Sequence, residues 1–508
     1  MMVMTPGCRL GWRLACLVVL ASLAACEGAP AGPENKPLPA GLPELIYYYP
    51  ADAQRDQQLI QAELNRYTGE KIGATVSLRP IAWASVQEKT NLLLSSGERF
   101  DIIFAPSWLH YANYAPKGVF AELDPLIDRF APQLRTELHP AFLAGPRLDG
   151  RLYAIPTNKE AASQYAFIFN RRLVDKYGMD VSRIARLADL EPFLQIIKEN
   201  EPTVQPLFML ADSNAKFYDE DSLEPIGPAD IPGKLDTSAM TVVNEYTLPS
   251  MLDKFRLVRR WFEAGYINRD AATSQSDYRQ MMQSGSAWII LGASGKPGAA
   301  AEWTAMTGGI PMVQVNWKSP LISTESATNS MLAISARSRY PGKAMQFINL
   351  LHTDAYVNNL LNFGMEGLHY RQAPDGTIEA VPDGGYKPAI AWTVGNQFLN
   401  YLASGEAADK WEQYRQFNRQ AAVSKVMGFS FDPSPVSREI AAVSNISRQY
   451  HGILNTGSVR DVEGTVEGML AKYRLAGVDA IIAEKQRQLD VFLAGRGMQH
   501  EGRSPLEQ

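Results

Sequence analysis

Phe100-Asp101-Ile102-Ile103-Phe104 is a short apolar run, and the residues on either side of it decide the fold. Upstream, Val86, Thr90 and Leu93 share one face at helical spacing, and Ala74, Val76 and Leu78 alternate as a strand does. Further upstream, Leu59, Ile60, Leu64 and Tyr67 repeat a helical period, and Leu45-Ile46-Tyr47-Tyr48-Tyr49 is a β-prone run closed by Pro50. The order strand, helix, strand, helix, strand predicts a parallel sheet covered by helices on both faces, an α/β architecture.

Downstream, Asp149-Gly150 sits between two short β-prone pieces that end at Pro156, and a second apolar run, Ala166-Phe167-Ile168-Phe169-Asn170, begins soon after. A second sheet therefore starts beyond Pro156, joined later by Gly285 to Ile290. The stretch Met209 to Thr247 is polar and broken by Pro and Gly, and reads as loops or a peripheral hairpin. Met331 to Ile334 suits a strand and Pro341 to Leu351 a helix. Near the end, Val462 to Tyr473 and Val478 to Phe492 are two amphipathic helices separated by Ala476-Gly477.

A chain of 508 residues exceeds the roughly 250–300 residues at which single cores stop growing, so two lobes are expected. With a net charge of -5 and 20% charged residues, it lacks the basic excess that nucleic-acid binding requires. The apolar stretch Leu14 to Ala25 follows Arg9 and Arg13, is too short for a membrane span, and has the layout of a secretory signal. It ends in Leu23-Ala24-Ala25-Cys26, which resembles the bacterial lipobox. Cys8 and Cys16 fall in the segment to be removed, leaving Cys26 as the one cysteine, and acylation there, palmitate included, explains an unpaired thiol in an exported chain. Residues 26–43, rich in Gly, Ala and Pro, read as a tether.

Taken in order, Leu93-Leu94-Ser95-Ser96-Gly97-Glu98-Arg99-Phe100-Asp101-Ile102-Ile103-Phe104, Asp149-Gly150-Arg151-Leu152-Tyr153-Ala154-Ile155-Pro156 and Phe169-Asn170-Arg171-Arg172-Leu173-Val174-Asp175-Lys176-Tyr177-Gly178 resemble the bacterial extracellular solute-binding proteins of sugar-type ABC importers. Phe363-Gly364-Met365-Glu366-Gly367-Leu368-His369-Tyr370, Gly395-Asn396-Gln397-Phe398, Gly428 to Val436, and Ala476-Gly477-Val478-Asp479 followed by Glu484 to Asp490 narrow the resemblance to a lipoprotein branch with a DUF3502-like C-terminal domain. The resemblance implies a type II periplasmic-binding-protein-like fold of two α/β lobes, with a ligand cleft between them and closure by hinge motion. It places 44–156 plus 293–362 in the first lobe, 157–292 plus 363–495 in the second, and a tail from 496. It also implies ABC permease subunits as partners, a monomeric state, an extracytoplasmic lipid anchor, no cofactor and no catalysis.

A sugar offers apolar ring faces and a rim of hydroxyls, so its site needs aromatic platforms beside carboxylates, amides and cations. In open α/β sheets ligands bind outside the carboxyl ends of strands, which makes Tyr48, Tyr49, Trp83, Ser107, Trp108 and Tyr111 candidates. Alternation along the first strand equally places two of Tyr47, Tyr48 and Tyr49 in the core. Asn158, Lys159 and Glu160 follow the first crossing; Trp288 reads as core or cleft wall; Glu366 and His369 as ligand or hinge residues; Trp392 and Asn396 as a contribution of the C-terminal region. Two other functions use the same sequence features. An exported glycan hydrolase is recognised by carboxylate geometry that sequence does not show, although Gly-x-Ser-x-Gly, His-Glu-x-x-His and P-loop motifs are absent. A ligand sensor or adhesin on the same fold is the other. Six scattered histidines give little support to a zinc site.

Overall fold

The computed structural model describes residues 41–211, 222–274 and 276–496. The expected signal, Cys26, nearly all of the tether and the tail beyond 496 lie outside the described residues. From Leu42 onward the chain is built around separate hydrophobic cores, each organised by its own sheet.

The first sheet has the order Thr75–Ile81, Glu44–Pro50, Ile102–Phe104, Met331–Ile334, Ala154–Pro156. Its first three strands are parallel, as the strand–helix alternation predicts, and the last two join antiparallel. Leu45, Tyr47 and Tyr49 all point into the core, because successive side chains of a strand alternate between faces. Asp101 is buried at the start of the central strand; Oδ2 accepts the Ile46 amide at 2.9 Å and Oδ1 accepts the Ser338 hydroxyl at 2.5 Å. That buried carboxylate ties three segments of the lobe together, since a charge withdrawn from water needs donors.

The second sheet has the order Ile289–Ser294, Ser163–Asn170, Met312–Ile322, Ala422–Val423. Along its central strand Phe167 and Phe169 belong to one buried cluster, with Trp261, Trp288 and Trp317, while Ala166 and Ile168 belong to another on the opposite face. Both faces are therefore covered. The expectation that the chain returns to the first lobe at 293 is corrected by the long strand Met312–Ile322, which pairs with Ser163–Asn170; the return comes with Met331–Ile334. The segment from 363 also differs from expectation, because Tyr386, Ile390, Val394 and Phe417 pack into the first core.

A third core joins Met251 and Phe255 to Val443, Leu454, Met469, Tyr473, Ile481 and Leu489, on the helices Ser437–Asn455, Val462–Leu475 and Val478–Gly495. Its sheet consists of Leu223–Pro225, Lys234–Asp236 and Thr241–Val243, paired antiparallel, in the stretch read from sequence as loops or a peripheral hairpin. The helix Pro249–Glu263 serves two cores, giving Met251 and Phe255 to this one and Val258 and Trp261 to the second sheet.

Candidate binding cleft

Three passages of chain connect the two large sheets: Thr157 to Ala162, Ser323 to Ser330, and the end of helix Lys410–Gln420 running into Ala422–Val423. Hydrogen bonds bind them side by side. The Thr157 amide donates to the Ser330 carbonyl at 2.9 Å, and their hydroxyls meet at 2.9 Å. Ser330 also donates its hydroxyl to the Trp392 carbonyl at 2.8 Å. Asn418 clamps the first passage: Oδ1 accepts the amides of Ala161 and Ala162 at 2.9 and 3.1 Å, and Nδ2 donates to the Lys159 carbonyl at 2.8 Å.

These passages border a cleft of about 680 Å³ whose lining includes Lys159, Glu160, Gln164, Glu224, Lys318 and Asn329, a volume suited to a small-molecule ligand. Lys159 is 8% exposed and donates to the Glu160 carbonyl at 3.2 Å. Burial lowers its ammonium pKa, opposed by Glu160 and reinforced by Lys296. Glu160 has Oε1 at 3.5 Å from the Lys296 ammonium, while its Oε2 is buried without a hydrogen-bond partner. Burial pulls Lys296 down as well, but Glu160, Tyr414 and Glu302 outweigh that and hold it above its usual range. Asn329 Oδ1 is a second buried acceptor on the lining that has no donor. Buried polar atoms are normally satisfied, so two orphaned acceptors in one cleft mark where hydroxyl or amide donors belong.

An aromatic cluster packed against the first core adjoins this lining at Asn329. Trp83 and Trp392 stack with ring centroids 5.6 Å apart at 20°. Phe104 meets Trp392 edge-on at 6.1 Å and Trp108 at 6.0 Å. Trp108 is 40% exposed and donates its indole N–H to the carbonyl of Asn329 at 2.9 Å, which joins the cluster to the cleft lining. Trp83 follows the strand Thr75–Ile81, and Trp108 follows Ile102–Phe104, so strand termini position both.

Of the sequence candidates, Lys159 and Glu160 lie on the cleft lining, Trp83, Trp108 and Trp392 form the aromatic cluster that reaches that lining through the Trp108 bond to Asn329, and Ser107 is exposed next to Trp108. The others sit elsewhere for identifiable reasons. Tyr49 is core, and its hydroxyl accepts from Gln57 at 3.2 Å, while Tyr48 donates to Glu98 at 2.8 Å. Tyr111 is buried and donates to the Pro146 carbonyl at 2.6 Å; Trp288 is fully buried and donates to the Pro206 carbonyl at 2.6 Å. Asn396 caps the turn Gln397–Leu399 by accepting the Phe398 amide at 3.0 Å, and donates to the His352 carbonyl at 3.1 Å. His369 is buried, accepts the Met365 amide at 2.9 Å and faces Asp56 at 3.4 Å, whereas Glu366 is exposed.

Sequence reasoning missed Gln164, whose amide donates to the Lys318 carbonyl at 2.6 Å and accepts from Asn316 at 2.9 Å. Two polar residues, Ser163-Gln164, opening an otherwise apolar strand just past the crossing were the available signal. Asn329 and Glu224 had none. Among the described residues, no group of three or more His, Cys, Asp or Glu is placed to hold a metal ion.

The family model of bacterial extracellular solute-binding proteins matches residues 51–358, and a domain of unknown function, DUF3502, matches residues 425–494. A carbohydrate ABC transporter substrate-binding protein of Streptococcus pneumoniae serotype 4 (strain ATCC BAA-334 / TIGR4) is 28% identical over 488 residues, covering 94% of this chain and 97% of that one. The crystal structure of the N-glycan transport solute binding protein NgtS from Streptococcus pneumoniae is 26% identical, covers 89% of this chain and 100% of its own, and superposes with a TM-score of 0.77. The same protein in complex with Man5GlcNAc superposes with a TM-score of 0.66 over 89% and 99% of the two chains.

Proposed function

Because the chain belongs to the bacterial extracellular solute-binding proteins, we propose that it captures an oligosaccharide of the mannose-containing N-glycan kind and delivers it unaltered to an ABC importer. The observation that carries this is the cleft itself, whose lining holds two donorless acceptors, is bordered by all three passages between the large sheets, and is joined at Asn329 to the aromatic cluster of Trp83, Trp108 and Trp392. Rings stack on the cluster, hydroxyls supply the missing donors, and the passages act as the hinge. In this reading Cys26 carries the lipid anchor, the protein works as a monomer, and permease subunits receive the ligand.

Titration calorimetry with Man5GlcNAc tests the reading, with mass spectrometry of the ligand recovered afterwards. Saturable binding and an intact glycan are expected, and at a hundred times its dissociation constant the ligand stabilises the fold by about 2.7 kcal/mol. Absence of binding, or recovery of a shortened glycan, contradicts it. For the anchor, Cys26→Ala moves the protein from the membrane fraction to the soluble one; continued membrane association refutes acylation at that residue.

A further inference from the structure

The small sheet Leu223–Pro225, Lys234–Asp236 and Thr241–Val243 has strands of three residues each, too short to hold together in isolation. The C-terminal helices supply what it lacks. Gln486 Oε1 accepts the Val242 amide at 2.7 Å, and the buried Lys485 ammonium donates to the carbonyls of Pro232 and Gly233 at 3.1 and 2.9 Å. Gly233, at φ +109, lies so close that an added Cβ would stand 3.1 Å from Lys485. The edge strand Leu223–Pro225 borders the cleft, where Leu223, Glu224, Pro225 and, beyond the neighbouring strand, Thr237 join the lining. The end of the third passage closes the seam: Ser424 donates its hydroxyl to Glu224 Oε2 at 2.8 Å, and Lys425 donates to the Thr237 carbonyl at 2.9 Å.

Glu224 is 5% exposed, and among the described residues Ser424 is its one hydrogen-bond donor, with no cation paired to it. Burial raises its carboxyl pKa, with Ser424 opposing the shift. A buried acid without a cation costs stability, and such groups concentrate at functional sites. We infer that the C-terminal DUF3502 region and the small sheet it braces form one wall of the cleft, and that Glu224 is the specificity-determining residue of that wall, accepting hydroxyls of the bound sugar. This deepens the oligosaccharide-binding reading and rests on it.

The test compares wild type, Glu224→Gln and Glu224→Ala by calorimetry with Man5GlcNAc and by thermal unfolding without ligand. Glu224→Gln keeps the side chain's shape and its bond from Ser424 but removes the charge. Its ligand-free melting temperature is expected to stay level or rise while affinity falls at least tenfold. A folded Glu224→Ala variant falls further; should it not fold, the Gln variant alone decides. Unchanged affinity in Glu224→Gln, or a lowered melting temperature with affinity retained, overturns the inference and leaves the proposed function standing. A wild type that does not bind Man5GlcNAc overturns both.

Discussion

Trp108 is the residue on which the cleft's chemistry is easiest to test, since it is half in solvent and held by a single bond to Asn329. Trp108→Ala is expected to weaken oligosaccharide binding about tenfold, the scale of one lost aromatic platform, with little change in ligand-free melting temperature; calorimetry beside a thermal scan reads both. Another residue-scale consequence concerns acid. His451 shares a hydrogen bond of 2.9 Å with the Tyr473 hydroxyl, and burial pushes its pKa down to about 4 from an ordinary 6.5, with Asp230 opposing. The unfolded chain then takes up a proton between pH 6.5 and 4 that the folded chain refuses. Stability is therefore full above about 6.5 and falls as the pH drops, by about 2–3 kcal/mol at pH 4.5 from this group. Denaturant unfolding of His451→Gln at pH 7 and 4.5 should show a smaller loss than wild type; an identical loss assigns the acid sensitivity to other groups. At this scale the sequence was only partly legible. Types of residue were readable, and alternation along the first strand already places two of its three tyrosines in the core, as Tyr47 and Tyr49 are; Tyr111 has the same chemistry as the exposed Trp108 and is buried, because side-chain direction there depends on packing partners far along the chain.

Among the elements, the passages between sheets matter most, and Asn418 is their fastener. Asn418→Ala removes three hydrogen bonds and leaves two buried amides without acceptors. The expected cost is about 2–4 kcal/mol by denaturant unfolding, with weakened binding, because Lys159 and Glu160 lose their fixed base. Gly395 has a comparable role on the adjoining segment: its φ is +52, its carbonyl accepts the Asn158 amide at 2.8 Å, and a Cβ there would collide with the Leu351 carbonyl. Gly395→Ala is expected to destabilise by more than about 3 kcal/mol; a variant as stable as wild type would show that this contact relaxes freely. Apolar residues at helical spacing made Gln57–Ile72 and Val462–Leu475 readable, and a continuous apolar run the strand Ile102–Phe104. The small sheet was readable only as loops or a peripheral hairpin, since strands of three residues carry no usable period and distant helices stabilise them at Val242 and Gly233. The lobe of Met312–Ile322 was equally hidden, because apolar content does not say which sheet a strand joins.

At the scale of the whole molecule, each large sheet has its own cores, and the passages between them are few. That arrangement lets one half rotate on the other at little cost in packing while the cleft between them tightens on a guest. The C-terminal core is coupled to the second sheet through Pro249–Glu263, so the wall it forms travels with that sheet. The direct test is the distance between spin labels at Lys89→Cys and Lys198→Cys, exposed on the helices Val86–Ser96 and Glu191–Asn200, introduced into residues 41–496, which have no cysteine of their own. Pulsed electron paramagnetic resonance with and without Man5GlcNAc should show the distribution shift to a shorter distance when the glycan binds. A glycan that binds while the distribution stays where it was would contradict closure of the two halves around their ligand.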